Sequence, residues 1–383
     1  MGRILFDLVA CQSNGTSMNH GGKEYGEAVF CEMMKQKIPL SCIYNSKLEL
    51  NEQYLNYCKG TGEVFDTQIT SLQDVIETHS FSVFYSALPY ALNNMNWHDT
   101  TFIGNIHGLR PIEAFTDRYE YKYSNSVKGL LKAFVKSIGF IERKKKKKFL
   151  NRIGEIINNP SFVCLTGSDH SKFTLLNYYP SVKPERIAVF YDPLNLVEVD
   201  QSYNKSEKYY LLVSGNRWLK NTYRGIIALD QLISSGRLSD SKIVVTGTIP
   251  NMMYLKDISN VDKFIFKSYV TPKELALLYK NAYCLVFLSL SEGFGYPPLE
   301  AISRGTPVVC SPLTALYEVY QNSVLYCNPY SIDDIKVKIL EMEDEIIYNT
   351  YRKRGLSFSK EMIEKQKDAL PRLVEYICSY AKD

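Results

Sequence analysis

The sequence predicts an α/β protein made of two doubly wound parallel sheets. Three observations carry this. Strand-like and helical stretches alternate along most of the 383 residues. The strand-like runs are apolar almost throughout rather than alternating, as expected of strands covered on both faces. One polar stretch, 195–208, interrupts the alternation and divides the chain into two parts of similar size. At roughly 150 residues per domain, the length also calls for two or three domains.

The first series opens with a strand at 3–10, then a Gly/Asn/Ser loop and a helix over about 23–36. Strands follow at 40–44, 81–86, 101–106, 161–166 and 186–191. The second series has strands at 209–214, 242–246, 264–268, 284–290, 307–311 and 324–327. Helices are expected between them at 222–235, 272–281, 298–304, 315–320 and 332–343, and a long one at 359–380. The expected domains are 1–194 and 195–358, followed by a terminal helical segment, 359–383. In doubly wound sheets ligands bind in the loops after the carboxyl ends of the strands, so two such domains would face each other across a common crevice.

Composition narrows the class. Hydrophobic residues make up 45% and charged residues 22%, a globular balance. The net charge of +4 is too small to argue for nucleic acid, but residues 143–148 are six consecutive cations and make one surface strongly positive. No apolar run approaches the roughly 18 residues needed to span a bilayer. Leu8-Val9-Ala10-Cys11 resembles a lipoprotein cleavage box, yet the apolar stretch before it is short and holds Asp7, so it is read as the first strand. The nine cysteines show no C-x-x-C pair and several lie in apolar runs, which fits buried free thiols in a reducing, cytoplasmic setting. His20, His79 and His98 have no ligand spacing, there is no Asp-x-Asp element, and Asp333-Asp334 opens a late helix. No metal or other cofactor is expected. No G-x-G-x-x-G dinucleotide fingerprint follows any strand.

The chemistry is concentrated in one motif. After the apolar run Leu288-Ser289-Leu290-Ser291 come Glu292-Gly293-Phe294-Gly295-Tyr296-Pro297-Pro298-Leu299-Glu300, then Ala301-Ile302-Ser303-Arg304-Gly305-Thr306-Pro307-Val308-Val309. Read physically, this is a strand, a glycine turn and a helix. Gly293 and Gly295 allow tight turning and close backbone approach. The prolines suit the first helical positions, where an N–H has no helical partner. The free N–H groups of Phe294, Gly295 and Tyr296 would then suit an anion such as a diphosphate. Glu292 on the turn and Glu300 on the helix are acceptor-only groups, suited to vicinal sugar hydroxyls.

At these residues the chain resembles glycosyltransferase family four, the retaining enzymes of the GT-B fold also called glycosyl transferases group 1. The Glu-x7-Glu element, with Gly-Phe-Gly and Pro-Leu-Glu inside it and Gly-Thr-Pro-Val after it, carries the resemblance. It is most specific over about 209–330. It implies that Glu292 contacts the donor sugar and Glu300 the donor ribose. It implies that an Arg and a Lys after the first strand of the second domain neutralise the leaving phosphate. Arg217 and Lys220 stand there, three residues apart where the family's pair is wider, with Arg224 as a further cation. It gives Gly21-Gly22 a place near the donor phosphates, puts the nucleobase against backbone around Tyr269 and Val270, and brings His107 near the donor sugar and acceptor. It also suggests that the terminal helix returns to the first domain.

The function that follows is retaining, metal-independent transfer of a sugar from a nucleotide sugar to a glycan or lipid-linked acceptor, in surface polysaccharide biosynthesis. The catalytic candidates are His107, Glu292, Arg217 and Lys220. The donor-binding candidates are Gly21, Gly22, Arg217, Lys220, Tyr269, Val270, Gly293, Phe294, Gly295, Tyr296 and Glu300. A nucleotide-sugar 2-epimerase of the same architecture and a non-catalytic membrane-surface scaffold are the alternatives. The cationic run suggests reversible contact with the anionic inner face of a membrane, with no apolar anchor beyond Phe149-Leu150.

Overall fold

A computed structural model describes residues 2–12, 21–193, 197–198 and 207–381. In chain order the elements begin β1 Ile4–Asp7, α1 Gly21–Lys35, β2 Leu40–Tyr44, α2 Glu52–Thr61, β3 Val64–Asp66, α3 Leu72–Thr78, β4 Val83–Ser86 and β5 Thr101–Asn105. There follow α4 Arg110–Glu113, α5 Val127–Ser137, α6 Gly139–Ile157, β6 Phe162–Thr166, α7 Asp169–Tyr178 and β7 Ile187–Val189. The next elements are β8 Tyr209–Leu212, α8 Thr222–Ser234, β9 Lys242–Thr246, β10 Phe264–Lys267, α9 Pro272–Asn281, β11 Cys284–Phe287 and α10 Tyr296–Ile302. Last come β12 Val308–Cys310, α11 Ala315–Tyr320, β13 Leu325–Tyr326, α12 Ile332–Glu343, α13 Glu345–Lys367 and α14 Ala369–Cys378.

The strands form two wholly parallel sheets, in the orders β3-β2-β1-β4-β5-β6-β7 and β10-β9-β8-β11-β12-β13. In each sheet the chain steps outward to one edge and then returns beside its first strand, so β1 abuts β4 and β8 abuts β11. That reversal opens a crevice at the carboxyl ends of those two pairs. The central strands β1, β4, β8 and β11 are almost entirely buried, which explains why their sequences are apolar runs without alternation.

The first unit comprises Met1–Leu109, Lys147–Pro193 and Lys365–Asp383, and the second Arg110–Lys146 and Leu194–Glu364. The division drawn from sequence differs, placing all of 1–194 in the first domain. Segment 110–146 packs into the second unit for identifiable reasons. Arg224 on α8 makes a bidentate pair with Asp117, at 3.0 and 2.8 Å, and both groups are buried. The Tyr123 hydroxyl accepts from the Tyr223 N–H at 2.8 Å, and Lys122 pairs with Asp257 at 2.5 Å.

The terminal helix expected over 359–380 is two helices, α13 and α14, broken at Asp368. Leu373, Val374 and Ile377 of α14 join the apolar core of the first unit with Val29 and Phe30 of α1. The first unit also has a strand that sequence periodicity did not predict, β3, on its outer edge. The Gly/Asn/Ser stretch expected after the first strand, His20 and most of the polar 195–208 stretch lie outside the described residues.

Candidate active site

The site is assembled where β8 meets β11. After β8 the chain turns through a short 3-10 segment, Trp218–Lys220, and reaches Asn221 in the left-handed conformation (φ 56°) before α8 begins. The segment after β11 runs alongside it. The Leu219 carbonyl accepts from the Leu290 N–H at 2.8 Å and from the Ser289 hydroxyl at 3.2 Å. These bonds bring together two loops some seventy residues apart in sequence, and with them two charges. Lys220 Nζ lies 2.5 Å from Glu292 Oε1, with side-chain exposures of 15% and 5%. The Lys220 ammonium also sits 5.1 Å from the centre of the Phe287 ring.

Arg110, on the one-turn helix α4, lies 3.9 Å from the other oxygen of Glu292. Burial opposes ionisation of Glu292, but the charges of Lys220 and Arg110 and hydrogen bonds from Lys220 and Ser289 outweigh it. Its carboxyl is held below the ordinary glutamate range. Burial pushes Lys220 the other way, down from the usual lysine value despite the attraction of Glu292, with Arg110 and Arg217 adding repulsion. Next to Glu292, the Ser291 hydroxyl donates to Glu113 Oε2 at 2.7 Å. Arg110 and Glu113 reach Glu292 because segment 110–146 packs into the second unit.

The glycine turn is held from inside. The Tyr320 hydroxyl donates to the Gly295 carbonyl and accepts from the Leu299 N–H at 3.2 Å. Gly295 has φ 90°, which favours glycine, and a Cβ there would stand 2.6 Å from a Leu316 methyl that would have to shift. Phe294 is buried. The Glu292 N–H donates to the Thr314 hydroxyl at 2.9 Å. Thr314 has φ 56°, an uncommon conformation for a β-branched residue, maintained directly beside the buried carboxylate. No local sequence signal announces it.

Helix α10 begins at Tyr296, so Pro297 and Pro298 are its second and third residues and Glu300 its fifth. Glu300 therefore lies beyond the first turn, where a carboxylate gains most from the helix dipole. Its side chain is bonded to the Tyr279 hydroxyl, which burial and this carboxylate together push well above the ordinary tyrosine range.

The remaining expected residues fall as follows. Arg217 is exposed, at the start of the 3-10 turn that ends in Lys220. Arg224 is turned to Asp117, Asn221 and the face of Tyr119. Tyr269 and Val270 lie between β10 and α9, with Tyr269 exposed, and α9 is opened by a Thr271–Glu274 capping box.

Gly21 and Gly22 do not precede α1 but form its first two residues. A Cβ on Gly22 would meet Leu88 at 2.5 Å, so packing accounts for that glycine. His107 lies in the first unit, after β5. Its Nε2 is 3.1 Å from the Ala87 carbonyl, which makes that nitrogen the donor, and Asn105 Nδ2 is 3.2 Å from Nδ1. The ring meets Tyr25 edge-on at 5.1 Å. Among the described residues no group of three His, Cys, Asp or Glu side chains gathers as a metal centre.

The architecture defines a GT-B fold. Sucrose-phosphate synthase from Thermosynechococcus elongatus superposes with a TM-score of 0.71 at 13% identity, covering 100% of both chains. WaaG, a glycosyltransferase involved in lipopolysaccharide biosynthesis, gives 0.68 at 12%, covering 98% of this chain and 99% of its own. Residues 198–356, which include Lys220, Glu292 and Glu300, match the family model for glycosyl transferases group 1.

Among curated proteins, the O-antigen chain mannosyltransferase RfbU of Salmonella typhimurium is 32% identical over 207 residues, 53% of this chain and 51% of that protein. O-antigen chain mannosyltransferase B of Escherichia coli is 29% identical over 212 residues, 51% of this chain and 56% of its own. The chain thus spans about half the length of these curated relatives.

Proposed function

We propose that this protein is a retaining, metal-independent glycosyltransferase. It would move a sugar from a nucleotide donor to a glycan or lipid-linked acceptor in the building of a surface polysaccharide. The observation that carries the reading is the buried Lys220–Glu292 pair at the β8/β11 reversal, inside the segment that matches glycosyl transferases group 1.

Glu292 accepts hydrogen bonds from donor-sugar hydroxyls with the lone pairs that Lys220 leaves over. An ammonium has three N–H donors. One is spent on Glu292, and the others serve the diphosphate together with Arg217. Glu300 takes the ribose, the turn at Gly293–Tyr296 lies against the phosphates, and Tyr269 and Val270 lie against the base.

In the transfer, the bond from the anomeric carbon to the diphosphate oxygen breaks. The acceptor oxygen bonds to the same face, and its proton passes to the leaving phosphate oxygen. Cations held in a water-poor site stabilise the charge that develops there. His107 is assigned to this reaction by the family resemblance. Both curated relatives are named mannosyltransferases, which makes a mannose nucleotide the first donor to try. The setting proposed is the cytoplasm, at the inner face of the membrane.

A thermal-shift screen of nucleotide sugars tests the donor, because a ligand of the folded state raises its stability. One sugar nucleotide should stand out and should then be consumed with an acceptor, with the anomeric configuration of the product read by NMR. No shift with any nucleotide sugar, or an inverted product, would remove the reading or its stereochemical part.

A further inference from the structure

Helix α5 is oriented opposite to an ordinary surface helix. Its apolar residues recur with a helical period, and such a stripe normally faces the core. Here it faces out. Val127 is 73% exposed, Leu131 61% and Phe134 68%, and Val135 is exposed beside them. No residue of α5 is fully buried. The inward side carries the half-buried Leu130 and Ala133 together with a cation, Lys136. Lys136 binds both carboxylate oxygens of Glu120, at 2.9 and 3.0 Å, and covers the Trp218 ring at 4.5 Å. The helix is therefore held by an ion pair beside two half-buried apolar side chains, and it displays Val127, Leu131, Phe134 and Val135.

The display continues past the helix end. Ile138 is exposed, and Phe140, in the first turn of α6, is 75% exposed. Cations flank it. Lys128 and Lys132 lie one helical turn apart along the exposed stripe of α5, and Arg143, Lys144 and Lys145 are exposed on α6. Lys146 is partly withdrawn, paired with Glu142 at 2.8 Å and lying over the Phe115 ring. An exposed apolar patch rimmed by one sign of charge marks an interaction surface. No helix among the described residues is long and apolar enough to cross a membrane. The apolar anchor missing from the sequence reading is thus α5 rather than Phe149-Leu150, both of which are half-buried.

The geometry points to a surface that docks on an anionic lipid bilayer, with Leu131, Phe134 and Phe140 entering the acyl boundary and the basic residues meeting phosphate headgroups. Charge decides the occupant. The same apolar edge against a second copy of this chain would bring its lysines against like charges, whereas an anionic leaflet complements them. Apolar burial and basic attraction acting together give stable attachment where either alone gives weak, reversible contact.

The test is co-sedimentation of the full chain with vesicles of phosphatidylcholine alone and of phosphatidylcholine mixed with phosphatidylglycerol. Two variants go alongside, Leu131→Glu/Phe134→Glu and Arg143→Gln/Lys144→Gln/Lys145→Gln. All five positions are exposed, so circular dichroism should match the parent. The parent should pellet with anionic vesicles and not with neutral ones, and each variant should lose about tenfold or more in partitioning. High salt should weaken the parent more than the triple-Gln variant, which keeps Lys128 and Lys132. Equal recovery on both vesicle types, or an unaffected Leu131→Glu/Phe134→Glu variant, overturns the proposal. So does a parent dimer that this variant converts to monomer while vesicle binding stays the same. Because vesicle binding is read without turnover, failure here and failure of the transferase reading are separate results.

Discussion

The ammonium of Lys220 lies 2.5 Å from Glu292 Oε1, seventy-two residues away in sequence, and neither group has more than a small fraction of its surface in water. Each is the other's main compensation for burial. Removing one alone leaves an uncompensated charge, at a cost of about 3–5 kcal/mol. Glu292→Gln should therefore lower both the melting temperature and transfer, the latter on the order of 10²–10³. Glu292→Gln with Lys220→Met should recover much of the stability and none of the turnover. A full double-mutant cycle by thermal denaturation and initial rate checks both halves, and a single variant as stable as the parent would count against the pair.

Acid should act on the same carboxylate. Its folded pKa is depressed, so its contribution to stability is present above the ordinary glutamate value of 4.5 and is lost as pH falls through the lower folded value. The Glu292→Gln variant should show a shallower acid limb than the parent when unfolding is followed by tryptophan fluorescence.

Asp7, at the end of β1, gives the opposite sign. Burial raises its carboxyl to about 6 despite hydrogen bonds from Ser86 and the Ala10 and Val9 N–H groups. Its contribution is fully present below 3.8 and is lost as pH rises through about 6, a change of about 3 kcal/mol. Asp7→Asn should abolish that slope and be at least as stable as the parent at neutral pH. Urea midpoints between these limits decide it.

The Arg224–Asp117 pair should behave as architecture. Asp117→Asn should destabilise the second unit by about 3–5 kcal/mol, since it strands a buried guanidinium. Arg224→Lys should rescue little, because an ammonium cannot reproduce the two-pronged contact. Chemical denaturation monitored in the second unit is the measurement, and midpoints unchanged from the parent would contradict the assignment.

Transfer should persist in excess chelator, because the proposed clamp on the diphosphate is Lys220 with Arg217. Activity lost with chelator and restored by a divalent ion would replace that clamp with a metal.

Much of this was legible in the sequence because it is local. The buried strands betray themselves by uninterrupted apolar runs, and α9 and α12 by their capping residues, Thr271 and Ser331. β3 escaped because Val64-Phe65-Asp66 is three half-buried residues on a sheet edge. The Glu292–Glu300 motif is a single stretch of chain and was readable as such. Its partners were not. Lys220 reaches Glu292 because β8 pairs with β11, and Arg110 and Glu113 arrive because Asp117 pairs with Arg224 across 107 positions. Amphipathicity in 127–138 is visible on a helical projection, yet its default reading turns the apolar side inward. The Lys136–Glu120 contact reverses that, and no local rule contains it.

The passage of 110–146 into the second unit bears on how such a protein can be recombined. A crossover at the polar 195–208 stretch looks like a clean joint between two modules. A hybrid made there would take Arg110, Glu113 and Asp117 from one parent and Ser291, Glu292 and Arg224 from the other. Exchanging partners at that point grafts half of a buried charge network onto a foreign complement. Viable shuffling would need two breaks in the first half of the chain, on either side of 110–146, so that the inserted loop travels with the sheet it completes.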